Sequence, residues 1–340
     1  MIKFIITGGS GFIGTNFVNF LLEKNYFVIN IDKHTYSSNK SNNKNKKNYR
    51  FYKADINNVK KVSKLIYKYK PEAIFNLAAE THVDRSIDSP KNFIFSNILG
   101  VYNLLEVLRK YNKKNNKIKL IHISTDEVYG DINNVNLRSD EKYPYNPSSP
   151  YSATKASADH LVQSYARTYK MPVVISNCCN NYGPYQFPEK LIPKIISNIM
   201  NNKELPVYGK GTNSREWIYV RDHCEALLQL YFKGKNGHSY NVGSGKNLRN
   251  IDLIKKIIKL FKKRKIEVNK NVKIKFVKDR PGHDFRYALD SKKITKDIKW
   301  KCKMNIDGGL LKTINWYLEN KKFLKSISKK YYNKRLGLKL

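Results

Sequence analysis

The first half of the chain alternates short, continuous apolar runs with longer segments in which apolar residues recur every three or four positions. The runs Lys3–Ile6, Tyr26–Ile31 and Ile118–Ile123 are typical of strands that are buried on both faces of a parallel sheet. The segments Thr15–Glu23 and Asn58–Tyr69 have the period of helices that cover such a sheet. This alternation predicts an α/β fold with a Rossmann-like, doubly wound parallel sheet.

The same patterns extend the prediction along the chain. We expect further strands at Tyr49–Lys53, Ala73–Leu77, Val173–Ile175, Ser239–Val242 and Val272–Phe276. We expect further helices at Pro90–Tyr111, Ser152–Tyr169, Ile192–Asn201 and Ile251–Lys262. The expected domains are a cofactor-binding domain at residues 1–176 with returning segments at about 217–243, a smaller, mainly substrate-binding α/β C-terminal domain at 177–320, and a basic tail at 321–340.

A glycine-rich turn follows the first strand. The spacing of Gly8, Gly11 and Gly14 allows a tight turn and a close approach of the backbone to a pyrophosphate at a helix N-terminus. Asp32 ends the second strand 18 positions after Gly14 (32 − 14), close to the place of a carboxylate that binds an adenosine ribose. A carboxylate there would repel a 2′-phosphate, which favours NAD over NADP; the alternative for Asp32 is a solvated loop acid.

Other residues at the ends of strands complete the predicted cofactor site. Asp55 is a candidate for the adenine edge, and a loop or helix-cap role is an equal alternative. The small residues Ala78 and Ala79 let a cofactor pass close to the end of their strand. We assign to NAD binding Gly8, Gly11, Phe12, Ile13, Gly14, Asp32, Asp55, Ile56, Ala78 and Ala79, together with Tyr151 and Lys155.

Acid–base chemistry is concentrated in two segments. Thr125, Asp126 and Glu127 follow the strand Ile118–Ile123, at the edge where open α/β sheets place ligands. Tyr151 and Lys155 are four positions apart on a predicted helix and therefore share one face. We expect the ammonium of Lys155 to favour the phenolate of Tyr151 and so to lower the pKa of that phenol. The five residues are the predicted catalytic set. They provide more acidic and basic groups than the simple oxidation of an alcohol needs.

The composition narrows the class of protein. The net charge of +38 (65 basic minus 27 acidic residues) could indicate a nucleic-acid partner, but Lys, Asn, Ile and Tyr are enriched together, which favours a compositional bias instead. The four cysteines lack the spacing of a metal site, and His82 has no second His or Cys nearby, so we expect no metal. No apolar run approaches a membrane span, and the first strand leaves no room for a signal peptide, so we expect a cytoplasmic protein with no membrane partner.

Seven segments, taken in order, resemble the extended short-chain dehydrogenase/reductases, and among them the dTDP-glucose 4,6-dehydratases. The resemblance runs from about Met1 to about Trp316 and rests on the motifs GGSGFIG, AAETHVDRSI, STDEVYG, YSATK, NNYGPYQFPEKLIP, YGKG with REWIYVRDH, and DRPGHD. Each motif is shared more widely, whereas the ordered set is highly specific. The Thr-Asp-Glu sequence at 125–127 separates these dehydratases from related epimerases and decarboxylases.

The resemblance implies an NAD-dependent lyase (hydro-lyase) of deoxysugar, rhamnose-type, biosynthesis that converts dTDP-glucose to dTDP-4-keto-6-deoxyglucose and water. Tyr151, helped by Thr125 and Lys155, would remove the C4 hydroxyl proton while hydride passes to NAD. Glu127 would take the C5 proton, Asp126 would protonate the departing C6 hydroxyl, and hydride would return to C6. The nucleotide-sugar residues implied by the resemblance are His82, Thr125, Asn181, Glu189, Lys190, Leu191, Arg215, Asn250, Arg280 and His283. The chemistry of Arg280 independently suits a phosphate clamp.

Two alternatives stay open at this point. The nearer one is a UDP-glucose 4,6-dehydratase or a 4-epimerase, because the methyl group that distinguishes thymine from uracil is a small contact. The more distant one is a basic, non-enzymatic Rossmann-like protein that binds nucleic acid, against which the complete catalytic set argues.

The two long helical segments suggest a homodimer. Both segments have more apolar positions than surface helices usually have. A dimer interface would explain this excess, and ordinary packing on the sheet is the alternative explanation. The positions in question are Phe93, Asn97, Val101, Leu104, Leu105 and Leu108 in the first helix, and Ala156, Leu161 and Tyr165 in the second.

Overall fold

The computed structural model of the chain describes residues 1–39, 46–115, 117–266 and 268–326. Part of the Lys/Asn-rich loop at 33–48 and most of the predicted basic tail lie outside these residues. Strands and helices are numbered below in chain order.

A seven-stranded parallel sheet forms the larger part of the molecule, as predicted. Its strands are β1 (Lys3–Thr7), β2 (Phe27–Asp32), β3 (Tyr49–Lys53), β4 (Ala73–Asn76), β5 (Lys119–Thr125), β6 (Val173–Cys178) and β10 (His238–Val242). They lie in the order β10-β6-β5-β4-β1-β2-β3, and every neighbouring pair is parallel. The order reverses between β1 and β4, which places the predicted ligand edge at the carboxyl ends of these strands.

Helices cover both faces of this sheet. They are α1 (Phe12–Glu23), α2 (Val59–Tyr69), α3 (Val83–Asp88), α4 (Lys91–Phe93), α5 (Gly100–Lys114), α6 (Pro150–Tyr169), α8 (Val220–Lys233) and α10 (Lys292–Ile298). Helices α1, α8 and α10 share one apolar core with the sheet, and α2, α5 and α6 share a second. The two cores explain why the strands are apolar throughout rather than alternating.

The smaller part of the molecule has its own core. Its strands are β7 (Asn180–Tyr182), β9 (Ser214–Tyr219) and β11 (Asn247–Arg249) in one sheet, and β8 (Leu205–Tyr208) paired with β12 (Ile274–Val277) in another. Its helices are α7 (Leu191–Met200), α9 (Asn250–Lys263) and α11 (Ile306–Glu319), and α12 (Lys321–Ser326) follows them. Residues from α7, α9 and α11, among them Ile195, Phe261 and Ile314, form its buried centre.

The segment that leads into α5 is more complex than the predicted single helix. The chain follows a π-helix from Ile94 to Leu99 between α4 and α5. The apolar positions that suggested a dimer face are buried here, except Leu161, which is partly buried, so ordinary packing on the sheet accounts for them. A different apolar row is exposed on the same helical segment: Ile94, Phe95, Leu99 and Tyr102.

Three further properties of the described residues concern membrane-spanning helices, metal-binding clusters and disulfide bonds. Nowhere among them is a helix both long and apolar enough to cross a membrane. The same residues hold no cluster of three or more His, Cys, Asp or Glu side chains that could bind a metal ion. The thiols of Cys178, Cys179, Cys224 and Cys302 are free.

Candidate active site

A large cavity of about 1130 Å³ lies at the carboxyl ends of the parallel strands. Residues of the large sheet form one side, and residues of the smaller part, such as Lys190 and Arg280, form the other. Every residue that the sequence predicts for catalysis, cofactor binding or substrate binding lines this cavity. The fold therefore brings together segments that are up to 275 positions apart, from Gly8 to His283 (283 − 8).

The glycine turn forms an open cradle at the start of α1. Gly8 has a positive φ of 70°, and a Cβ atom there would lie 2.6 Å from the backbone nitrogen of Ala78. A Cβ atom at Gly14 would collide with the carbonyl oxygen of Gly8. Gly11 precedes the first residue of α1, where backbone N–H groups and the helix dipole favour an anion. This backbone geometry fits the pyrophosphate of NAD.

Asp32 is a buried carboxylate at the end of β2. Its Oδ2 accepts a hydrogen bond from the backbone N–H of Ser10 at 3.0 Å, and its Oδ1 accepts one from that of His34 at 2.7 Å. These bonds fix the carboxylate at the cavity wall, where it suits ribose hydroxyls and disfavours a phosphate.

Asp55 has the loop role that its sequence position suggested, and its role at the adenine edge stays a prediction. Its Oδ1 accepts a hydrogen bond from the backbone N–H of Asn57 at 2.9 Å, which orders the turn before α2. The same side chain lines the cavity and lies 3.7 Å from the ammonium of Lys33.

The acid pair begins a tight helical turn directly after β5. This 3₁₀ turn runs from Asp126 to Tyr129, and Thr125 caps it by accepting a hydrogen bond from the backbone N–H of Glu127 at 3.3 Å. The Thr125 hydroxyl also donates to Asp126 Oδ1 at 3.2 Å. These bonds fix the side chains of Thr125 and Asp126 relative to each other and to the backbone of Glu127.

The protein surrounds the two acids differently. Burial raises the pKa of Asp126 well above its usual value, and the charges of Glu127 and Glu216 add to the effect. The second oxygen of Asp126, Oδ2, is buried without a hydrogen-bond partner among the described residues. Burial also raises the pKa of Glu127, but the positive charges of nearby basic residues oppose this rise. Those residues are Arg280, Lys190 and Arg215. Asp126 is therefore the group that favours its protonated form, and Glu127 the group that is more readily ionised.

The lowered pKa expected for Tyr151 is wrong for this structure. Burial raises the pKa of Tyr151 well above its usual value, and the charge of Glu127 raises it further, whereas a hydrogen bond with Thr125 lowers it. The ammonium of Lys155 donates to the carbonyl oxygen of Ile123 at 2.7 Å, and burial lowers the pKa of this lysine. Sequence spacing correctly placed both groups at the cavity, but it could not reveal the extent of their desolvation.

Glu189 joins the nucleotide-sugar side of the cavity to the loop after β2. It accepts hydrogen bonds from Tyr36 Oη at 2.8 Å and from Arg85 Nε at 3.2 Å. Arg85 also stacks over the ring of Tyr36, 4.0 Å from its centroid. His82 Nε2 lies 3.7 Å from Glu189, and burial together with the charge of Lys190 lowers the pKa of His82 to about 3. His82 is thus a neutral imidazole at physiological pH.

Several buried polar atoms of cavity-lining residues lack partners among the described residues, and Nε of Arg280 and Oδ1 of Asn250 are two of them. Asp84 holds Arg280 in place by accepting a hydrogen bond at 3.0 Å, and Tyr208 donates to the other oxygen of Asp84 at 2.8 Å. An unpartnered guanidinium donor in a cavity suits an anionic ligand such as a diphosphate.

Other predicted substrate residues are anchored within the protein. Arg215 donates to the backbone carbonyls of residues 214, 284 and 285, so no carboxylate among these contacts neutralises its charge. Asn181 binds His223 at 2.9 Å and the carbonyl oxygen of Cys179 at 3.0 Å, while Leu191 begins α7. His283 binds Asp279 at 2.6 Å. Burial and the charges of Arg280 and Arg215 lower the pKa of His283 to about 4.

The sequence reasoning missed three residues that support the site. Asp84 and Tyr208 orient Arg280, and Tyr36 binds Glu189. Asp84 lies within a motif already quoted, so its position next to His82 was the available signal. Tyr208 begins the quoted motif YGKG, whereas Tyr36 gave no signal, because its partner is more than 100 positions away along the chain.

The parallel sheet, the glycine cradle and the Tyr-x-x-x-Lys pair beside it define a short-chain dehydrogenase/reductase of the type that binds NAD. Comparison with known sequences agrees. The profile of the family described as GDP-mannose 4,6 dehydratase matches residues 5–313. A probable dTDP-glucose 4,6-dehydratase from Sinorhizobium fredii is 44% identical over 350 residues, covering 99% of each chain. The dTDP-glucose 4,6-dehydratase of Salmonella typhimurium is 44% identical over 349 residues, covering 97% of this chain and 96% of its own.

Solved structures extend the likeness to the whole fold. The dTDP-glucose 4,6-dehydratase of Bacillus anthracis, in complex with NAD, is 38% identical with a TM-score of 0.86, covering 96% of this chain and 100% of its own. The corresponding Streptomyces venezuelae enzyme, also with NAD bound, is 35% identical with a TM-score of 0.89 and the same coverage. The chain belongs to the dTDP-glucose 4,6-dehydratase family.

Proposed function

We propose that this chain is an NAD-dependent hydro-lyase that converts dTDP-glucose to dTDP-4-keto-6-deoxyglucose and water. The observation that carries the proposal is the acid pair Asp126 and Glu127 within the cavity that contains the cofactor cradle. Loss of water across C5 and C6 requires a base and an acid in the same site, whereas hydride exchange alone does not. The different surroundings of the two carboxyl groups supply both.

Each acid has the protonation state that its role needs. Glu127 faces the positive charges of Lys190, Arg215 and Arg280, which favour the carboxylate that accepts the C5 proton. Asp126 is buried with an unpartnered oxygen, and its raised pKa favours the acid that protonates the departing C6 hydroxyl. The assignment thus rests on environment as well as on family resemblance.

Tyr151 and Thr125 serve the C4 hydroxyl of the sugar. With its raised pKa, Tyr151 carries its proton at neutral pH, so proton exchange with the C4 hydroxyl depends on groups that stabilise the phenolate. Thr125 supplies a hydrogen bond and Lys155 supplies a positive charge. NAD bound in the glycine cradle supplies the reversible hydride chemistry that oxidation at C4 and reduction at C6 require.

The smaller part of the molecule holds the nucleotide. Arg280, Arg215 and Lys190 provide the positive charge for a diphosphate, and the free Nε of Arg280 provides a directed donor. Neutral His82 and the anchored carboxylate of Glu189 provide polar contacts for the sugar. This division of roles corresponds to a cofactor domain at 1–176, with returning segments at about 217–243, and a substrate domain at 177–320. The free thiols are compatible with a cytoplasmic enzyme.

The test is incubation of the purified protein with dTDP-glucose and no added reductant, followed by mass spectrometry of the sugar nucleotide. We expect loss of one water with no net change in NAD, and we expect Glu127→Gln to abolish it. UDP-glucose in a parallel reaction measures the preference for the base. An unchanged mass with a C4 epimer seen by NMR would replace the proposal with epimerisation, and no change in either substrate would refute an enzymatic role in nucleotide-sugar chemistry.

A further inference from the structure

A chain of buried polar side chains runs beneath the site from the glycine turn toward α6. Thr7 Oγ1 donates to Asn76 Oδ1 at 2.6 Å, and Asn76 Nδ2 lies 3.1 Å from His122 Nδ1. His122 Nε2 in turn lies 3.4 Å from Asp159 Oδ1, and each of the four side chains is 1% exposed or less. Because the Asn76 amide donates to Nδ1, the proton of the neutral ring is on Nε2, on the side of Asp159.

Asp159 is the last residue in this row of buried polar side chains. Its Oδ2 accepts hydrogen bonds from Ser124 Oγ at 2.6 Å, from Tyr145 Oη at 3.1 Å and from Asn177 Nδ2 at 3.2 Å. The three partners of Oδ2 can all donate, which matches an ionised carboxylate that only accepts, whereas Oδ1 lies near His122 without a hydrogen-bond partner among the described residues. Asp159 does not line the cavity, so the carboxylate is a fully buried charge outside the set that contacts ligands. A charge buried in this way needs a counter-ion.

Lys155 lies one helical turn before Asp159 on the same face of α6. It is 4% exposed, and its ammonium donates to the carbonyl oxygen of Ile123, which carries no net charge. Burial lowers the pKa of Lys155, and the nearby carboxylate of Asp159 opposes that effect.

The other titratable groups that face this pair are neutral. Burial and the charge of Lys155 lower the pKa of His122, and burial raises the pKa of Cys178 to about 12. Burial likewise raises the pKa values of Tyr145 and Tyr129. None of these groups can therefore balance an ammonium at neutral pH, and Asp159 is left as the nearby buried negative charge, which acts on Lys155 without a direct ion pair between the two described side chains.

We propose that Asp159 is a positioning residue whose carboxylate is the buried counter-ion of Lys155, keeping the lysine an ammonium beside Tyr151 while the tyrosine gives up its proton. The inference rests on the role proposed for Lys155 in the dehydratase reaction. It adds a residue that touches neither substrate nor cofactor and acts through charge alone. The hydrogen bonds from β5, β6 and the loop of Tyr145 keep this carboxylate in place.

A double-mutant cycle in chemical unfolding tests the pairing without any turnover. Asp159→Asn leaves the Lys155 ammonium buried and uncompensated, so we expect a clear loss of stability. In a Lys155→Met background the same change should cost much less, because no charge remains to be balanced. An equal loss in both backgrounds would mean that Asp159 serves only as a hydrogen-bond acceptor, and would overturn the proposal. If Asp159→Asn does not fold alone, folding of the double variant supports the pairing, and failure of both overturns it.

The pH profile of kcat/KM for dTDP-glucose tests the consequence for catalysis. Without Asp159, Lys155 should lose its proton at lower pH, so the alkaline limb for Asp159→Asn should move down by about one unit, which is about tenfold in the ionisation constant. Asp159→Glu, which keeps the charge, should restore part of the shift. Tyr145→Phe is the matched control, because it removes one neutral donor to the same carboxylate and should leave the limb in place. Equal losses of rate in Asp159→Asn and Tyr145→Phe with an unchanged profile would overturn the proposal. A wild-type enzyme without dehydratase activity would count against the proposed function and would leave the unfolding cycle interpretable.

Discussion

Asp126 and Glu127 are adjacent in the chain, yet their surroundings separate their chemistry. Asp126 is buried near the negative charges of Glu127 and Glu216, whereas three basic side chains act on Glu127. Neighbouring carboxyl groups also raise each other's proton affinity, which further favours one acid and one base. This coupling alone does not decide which of the two keeps the proton; the different surroundings of Asp126 and Glu127 do.

Substitution of each acid should therefore stop the reaction at a different point. Asp126→Asn should lower kcat by a factor of about 10² to 10⁴, since an amide cannot protonate the leaving hydroxyl, while exchange of the C5 hydrogen with solvent continues. Glu127→Gln should lower kcat as much and should also abolish that exchange. The measurement is deuterium incorporation at C5 by NMR in D₂O. Loss of exchange in both variants would contradict the separate roles.

His223 should make the fold sensitive to acid. Burial lowers its pKa from 6.5 to about 3, and its Nδ1 lies 2.9 Å from Asn181 Oδ1. Between pH 6.5 and pH 3 the imidazole is protonated in the unfolded chain but neutral in the folded protein. The free energy of unfolding is therefore highest above pH 6.5, as far as this group is concerned, and decreases as the pH falls toward 3. At pH 5 the cost is about 2 kcal/mol for this one group. His223→Asn should remove that part of the loss between pH 7 and pH 5 in chemical denaturation, and an equally steep decline would contradict the mechanism.

The strands differ in how well the sequence pattern predicts them. The strand Tyr49–Lys53 is confirmed to the residue: it is an edge strand whose aromatic residues favour β structure although most of its side chains are not buried. The strands β7 and β9 were missed, because Asn180–Tyr182 is short and polar and Ser214–Tyr219 begins with a polar run. For the site, spacing and the family resemblance together pointed to residues that the fold places around one cavity, but the pKa of Tyr151 depends on burial, which neither contains.

The exposed apolar row on the segment that leads into α5 is the element on which we now base the prediction of a homodimer. Phe95 is 48% exposed there, beside Ile94 and Leu99. Phe95→Lys should give a monomer in sedimentation velocity, because a charge at the centre of an apolar contact must be desolvated. Phe232→Lys is the control, since Phe232 is 51% exposed on α8 and should leave the dimer intact. A monomeric wild type, or dissociation by both variants, would exclude this row as the specific interface.

At the scale of the whole molecule, the charge of +38 should affect how the dianionic substrate approaches. Lys203 and Lys273 are exposed at the cavity wall, whereas Lys321 and Lys322 are exposed on α12 away from it. Replacing the first two with Gln should lower kcat/KM severalfold at low salt, and the difference should vanish at high ionic strength, because screening shortens the reach of these charges to a few ångströms.

The same double replacement at Lys321 and Lys322 changes the net charge equally and should have little effect. If both pairs lower kcat/KM alike, the overall charge matters rather than its position. No change in either would show that encounter does not limit the rate.

The position of β10 has a consequence for synthesis on the ribosome. The last strand of the sheet, His238–Val242, is not synthesised until 60 residues after β6 has ended at Cys178 (238 − 178). Arg280, which lines the cavity, is synthesised later still. At elongation rates of about 5–20 residues per second, the nascent chain carries the open edge of β6 for about 3–12 s. An uncovered edge strand readily pairs with other chains. A truncated chain that ends before residue 242 would therefore be an aggregation-prone fragment rather than a functional cofactor-binding domain. For the same reason we expect the nascent chain to bind chaperones that act during translation.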